Sequence, residues 1–100
     1  MASHNYFIYI TTNPSKSTLY IGVTNDLSTR IRQHKENRGK PNTFAGKYYC
    51  YNLIYFERFG DINHAIEREK ELKKWRREKK VNLIVTMNPN WKFYDSEDLD

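Results

Sequence analysis

The apolar positions of this 100-residue chain fall into short runs with two different periods. Tyr6 to Ile10 and Thr18 to Val23 are rich in aromatic and β-branched residues and read as strands. Asn13-Pro14-Ser15 lies between them as a turn signal, so the pair reads as an antiparallel hairpin. Side chains alternate along a strand, so Phe7 and Tyr9 share one face of the first run, and Tyr20 and Gly22 share one face of the second. The two tyrosines can therefore meet. Gly22 weakens a strand interior, and close approach of another backbone or of a ligand is the usual reason for it.

The period then changes. Thr24-Asn25-Asp26 offers helix caps. Leu27, Arg30, Ile31 and His34 follow at helical spacing on one stripe, which Asn37-Arg38-Gly39 closes. Leu53 to Glu57 reads as a third strand. Its nearly unbroken apolar run predicts burial on both faces and a central place in the sheet. Gly60-Asp61 caps a second helix, predicted over residues 62–77, with Ala65, Ile66, Glu69 and Leu72 facing inward and Lys73 or Trp75 at the margin. Val81 to Met87 reads as a short helix or connector, broken by Asn88-Pro89-Asn90, after which Trp91, Phe93 and Tyr94 can pack back. Met1 to Asn5 reads as a disordered start. The order β-β-α-β-α-α predicts an α/β (α+β) fold, one domain over residues 1–94 with a mobile acidic tail at 95–100.

Charge sharpens the picture. The 17 basic residues all precede the last six positions, which hold four of the 12 acids. Residues 1–94 thus carry 17 basic and 8 acidic residues, a balance of +9. A polyanion is the natural partner of such a surface, although a solvated lysine-rich face gives the same count. The one cysteine, Cys50, excludes an intrachain disulfide and a cysteine zinc site, and its aromatic neighbours suggest a small buried hydrophobe. No apolar run approaches membrane-spanning length and no signal peptide is visible, so a soluble, cytoplasmic chain is expected.

Two polar placements carry the candidate chemistry. Arg30 and His34 lie one turn apart on an otherwise apolar stripe: an arginine can hold a phosphate, and a histidine can relay a proton near neutral pH. A solvated helix edge would look the same. Glu69 sits within an apolar helix face, where a carboxylate is costly unless it is paired or bound to a cation. Tyr9 and Tyr20 can serve a proton relay or simply fill a half-buried face. Together the set suits one-metal phosphodiester hydrolysis. The basic run from Lys70 to Lys80 suits the nucleic-acid backbone.

These residues resemble the GIY-YIG nuclease domain. Phe7-Ile8-Tyr9 stands where that family has Gly-Ile-Tyr, and Tyr20-Ile21-Gly22 matches its second element. Arg30 and His34 have its Arg-x-x-x-His spacing. Residues 66–69 resemble the helix that carries the metal-binding glutamate; Glu67 and Glu69 are both candidates by motif, with Glu69 favoured. The likeness spans Tyr6 to about Trp91 and is greatest to compact single-domain bacterial members and to the N-terminal nuclease of the excision-repair incision subunit. It implies a three-stranded, mainly antiparallel sheet flanked by helices, and a DNA endonuclease with one Mg²⁺ or Mn²⁺ on Glu69, linked to repair or processing; with no second DNA-reading domain visible, structure preference or weak specificity is expected. Tyr9 would help activate water, His34 assist, Tyr20 orient water or phosphate, and Arg30 stabilise the phosphate. Gly22, Lys40, Lys47, Lys73 and Arg76 are the candidate nucleic-acid contacts, and Asn88 resembles a supporting asparagine. RNA is a further possible substrate, a targeting partner protein is possible, and a monomer or weak dimer is expected. Phe7 departs from the family's first glycine and suggests changed packing. The alternative is a nucleic-acid-binding module with a decayed site.

Overall fold

The three strands form a single sheet in the order β2-β1-β3. In the computed structural model, which describes residues 5–99, β1 is Tyr6–Thr12, β2 Leu19–Thr24 and β3 Asn52–Phe59. The helices are α1 (Leu27–Glu36), the single turn α2 (Phe44–Lys47), α3 (Ile62–Lys74) and α4 (Arg77–Met87). Both strand pairs are antiparallel. The expected disordered start falls largely on residues 1–4, outside the described residues; Asn5 accepts a hydrogen bond from Arg58 at 2.5 Å. Residues 96–99 form a 3-10 turn, and Leu99 packs onto the α1 side of the core.

The strand order corrects one expectation. β1, not β3, is central, and β3 is an edge strand. Its apolar run is nevertheless buried, because the chain covers it on both faces and along its rim. Leu53 packs with Tyr9, Leu27 and Ile31 on one side, while Ile54 and Tyr55 pack with Ile8, Ile10, Ala65 and Leu72 on the other. Tyr94 then pairs with Leu53 along the outer edge, its amide donating to the Leu53 carbonyl at 2.8 Å. Covering an edge in this way removes a template for aggregation.

The β1–β3 register shifts between Ile10 and Thr11: Ile10 opposes Tyr55 and Thr11 opposes Leu53. Ile54 is therefore the extra residue of a bulge. Asn88, buried at the end of α4, donates to the Ile54 carbonyl at 2.9 Å and to the Lys92 carbonyl at 2.8 Å, and accepts from the Lys92 amide. It ties α4 and the following segment to the bulge, which is a structural role.

The helices cover opposite faces. Asp26 caps α1 by accepting from the Thr29 amide at 3.1 Å, and α1 buries Leu27 and Ile31 against Tyr9 and Leu53. α3 lies on the other face, burying Ala65 and Leu72 against Ile8, Ile10 and Ile21. Arg68 fastens α3 to β3 through two bonds to Glu57, at 2.8 and 2.9 Å, and reaches Glu71 at 2.7 Å. Helix α3 stops earlier than predicted, at Lys74, where Trp75 turns extended. No glycine or proline breaks it. Arg68 and Lys79 flank the Trp75 ring, 5.2 and 4.2 Å from its centroid, and these cation contacts favour the bend.

Gly22 opposes Tyr9 across β1 and β2. A Cβ on Gly22 would meet Cζ of Tyr9 at 2.5 Å and Cε2 at 2.9 Å. The glycine thus makes room for a tyrosine ring, not for a ligand or another backbone. Gly22→Ala is expected to cost about 1–3 kcal/mol through overpacking, read as a lower urea midpoint. An unchanged midpoint would mean that the ring moves aside freely.

Candidate active site

Tyr9 is the buried centre of the site, with only 1% of its surface exposed. Its hydroxyl lies 2.8 Å from Nε2 of His34. The hairpin register brings Tyr20 to the same face, with its ring centroid 6.2 Å from Tyr9 and 5.5 Å from His34. Helix α1 supplies His34 from the turn after buried Ile31. Arg30 is exposed one turn earlier, and its charge acts on both Tyr9 and His34.

The expectation that the whole set lies on one face of the sheet needs correction. Tyr9, Tyr20, Arg30 and His34 belong to the α1 side, whereas Glu69 comes from α3 on the opposite face. Helix α3 packs against β1 and β2, the strands that carry Tyr9 and Tyr20. The negative charge of Glu69 is felt at the Tyr9 phenol. Glu69 is at the margin of the apolar stripe, with its side chain 17% exposed and paired to Lys73 at 3.4 Å. Glu67, the other candidate by motif, is exposed.

The electrostatics divide the proton-handling groups. Burial, followed by the nearby Tyr20, pushes the Tyr9 phenol well above its ordinary range; Arg30 opposes the shift and Glu69 adds to it. Burial, and then the Arg30 charge, pushes His34 down to about 4. At neutral pH the pair is a phenol and a neutral imidazole. In the tautomer with Nε2 unprotonated, the phenol donates to it.

The unfolded chain binds the His34 proton below its ordinary 6.5, but the folded chain does so only near 4. Stability should therefore fall as pH falls through that window. A titration of the His34 ring by NMR should give a midpoint near 4, and Arg30→Gln should raise it by removing a like charge. A midpoint near 6.5 in the wild type would show that the ring is solvated.

The candidate nucleic-acid contacts separate. Lys73 lines a groove of about 280 Å³ with Leu19, Tyr20, Ile21, Phe44 and Lys80. Lys47 is exposed at the end of α2, with its ammonium 5.4 Å from the Tyr48 ring centroid. Lys40 and Arg76 are exposed but do not line this groove. Gly22 is buried beneath Tyr9, which leaves it a packing role in place of the expected nucleic-acid contact. Phe44 and Tyr48 were not among the expected site residues, although both are aromatic, stand four apart and follow the cap residue Thr43.

Among the described residues no three His, Cys, Asp or Glu side chains gather as a metal cluster. A single carboxylate fits a hard divalent cation that keeps most of its waters and takes further oxygens from a phosphate, so Glu69 is a possible ligand. It does not fit a cation that needs a closed protein cage. No helix among the described residues is long and apolar enough to cross a membrane. Phe7, at the family's first glycine, packs edge-on against Phe56 with centroids 6.2 Å apart.

Comparison with known proteins identifies the family and the fold. Residues 5–82 match the family model described as the GIY-YIG catalytic domain. A UPF0213 protein of Bacillus pumilus is 34% identical over 87 residues, covering 87% of this chain and 86% of that protein. One from Staphylococcus aureus is 32% identical over 80 residues, covering 80% and 94%. The solution NMR structure of the UPF0213 protein BH0048 from Bacillus halodurans is similar with a TM-score of 0.55 at 25% identity, over 87% of this chain and 89% of that one. With the hairpin tyrosines, the helix-borne Arg and His and the α3 glutamate in place, the chain belongs to the GIY-YIG catalytic domain family.

Proposed function

We propose that this protein is an endonuclease that hydrolyses DNA phosphodiester bonds with one divalent cation, Mg²⁺ or Mn²⁺, held by Glu69. The observation that carries the reading is the 2.8 Å contact between the Tyr9 hydroxyl and His34 Nε2, set beside Arg30 and Glu69. A buried phenol with a raised pKa is a poor base by itself. A neutral imidazole behind it changes this, because Tyr9 can take a proton from water while passing its own to His34. No free tyrosinate is needed. Arg30, exposed above the pair, holds the phosphate and offsets the charge that develops on it. Tyr20 orients the water or the phosphate. When bound, the cation supplies Lewis-acid charge to the phosphate oxygens and makes water more acidic. The water oxygen bonds to phosphorus, the bond to the leaving sugar oxygen breaks, and that oxygen takes a proton from solvent. A place in DNA repair or processing follows from the excision-repair resemblance.

The Glu69–Lys73 pair favours a second reading. A carboxylate already neutralised by lysine suits a module that binds nucleic acid without cutting it. Lys73 is half exposed, however, so a cation can displace it at little cost. The test is a panel of single-stranded, duplex, nicked and branched DNA, with RNA beside them, in Mg²⁺, Mn²⁺ or chelator. Cleavage that depends on the cation is expected. Salt-sensitive binding with no cleavage under either ion would support the second reading.

A further inference from the structure

Phe44 and Tyr48 have no part in the proton chemistry, yet they are built into the site. Phe44 is 51% exposed and Tyr48 42% exposed. Exposed aromatic clusters of this kind mark binding surfaces. The turn that presents them is firmly held. Thr43 Oγ1 accepts from the Gly46 amide at 3.0 Å. Gly46 is buried so tightly that a Cβ there would meet the Lys40 carbonyl at 2.5 Å and the Asn37 carbonyl at 2.8 Å. Tyr49, directly after Tyr48, has a left-handed backbone with φ of 59°, a strained conformation for a tyrosine.

The rings continue the active site outward. Phe44 lies nearly parallel to Tyr20, at 25° and 6.2 Å, and 4.7 Å from Tyr48. Tyr20 in turn meets His34 edge-on. Phe44 and Tyr20 share their groove with Lys73 and Lys80. Aromatic faces beside ammonium groups match a nucleotide, whose base stacks and whose phosphate pairs with lysine. A base inside a duplex is already stacked on its neighbours and offers no free face.

We propose that Phe44 and Tyr48, with Lys73 and Lys80, form a stacking site for an unpaired nucleobase, so that the preferred substrate is single-stranded nucleic acid or a duplex with an unpaired nucleotide beside the cleaved bond. The position of that bond rests on the nuclease reading above; the stacking site itself does not. Its test is therefore binding in chelator, where nothing is cut. A single strand carrying 2-aminopurine and the same sequence as a blunt duplex are titrated with the intact protein. Wild type binds the single strand more tightly and changes the 2-aminopurine emission by stacking. Phe44→Ala weakens single-strand binding by about 10- to 100-fold and abolishes the emission change, while duplex binding is unchanged. Phe44→Trp retains both signals, and Tyr48→Ala gives a selective loss of its own. Equal loss on single strand and duplex, or no loss on either, overturns the proposal, the latter leaving the ring face to a partner of other chemistry. A protein that passes here but cuts nothing in the cleavage panel refutes the nuclease reading alone. One that cuts, while Phe44→Ala binds like wild type, refutes the stacking site alone.

Discussion

Glu69→Ala is expected to lower cation-dependent cleavage by about 10²- to 10³-fold while the protein stays folded, the scale of removing one preorganised electrostatic group from a reaction centre. The fold should survive because α3 is held by other residues: Ala65 and Leu72 in the core, and Arg68 on Glu57. The described ion pair lost is to half-exposed Lys73, and such pairs contribute little to stability. Glu69→Gln keeps the shape and removes the charge, so it should lose cleavage to a similar extent. Rates measured over a range of Mg²⁺ and Mn²⁺ concentrations, together with urea unfolding of each variant, check this. Cleavage at the wild-type rate in Glu69→Ala would remove the carboxylate from the reaction.

Tyr9→Phe is the complementary experiment and isolates a single oxygen. The ring still fills the space over Gly22, so packing is retained. The hydroxyl that meets His34 is lost. The expected fall in kcat is about 10²- to 10⁴-fold, the usual range for a positioned acid or base. One hydrogen bond costs only about 0.5–1.5 kcal/mol of stability, so unfolding should change little. If Tyr9 and His34 act as one relay, Tyr9→Phe combined with His34→Ala should be hardly slower than either single variant. Two independent losses that multiply would show that the groups act in separate steps.

The hairpin was legible because both of its runs have strand character and a turn signal separates them. Tyr9 and Tyr20 meeting on one face, and the Asp26 cap of α1, follow the predicted pattern. The place of Glu69 on α3 was legible from helical spacing. Strand order was not. An apolar run such as residues 53–57 is the same whether strands or helices and a returning tail enclose it, so β3 read as central when it is an edge. The end of α3 was hidden for a related reason: the cations around Trp75 come from Arg68 and Lys79, on two different helices. The division of the site between two sheet faces was equally invisible, because alternation tells which residues share a face but not which helix covers it. The role of Phe44 was not legible either, because only the fold sets its ring beside Tyr20.

That division bears on how the activity arises during synthesis. Translation delivers the tyrosines, Arg30 and His34 first and the carboxylate of Glu69 last. A chain that ends at β3 carries the residues of the proposed relay and phosphate clamp but not Glu69, which lies on α3. On the proposed chemistry, cleavage therefore waits on the docking of α3, and the two halves of the site become one only in the folded chain.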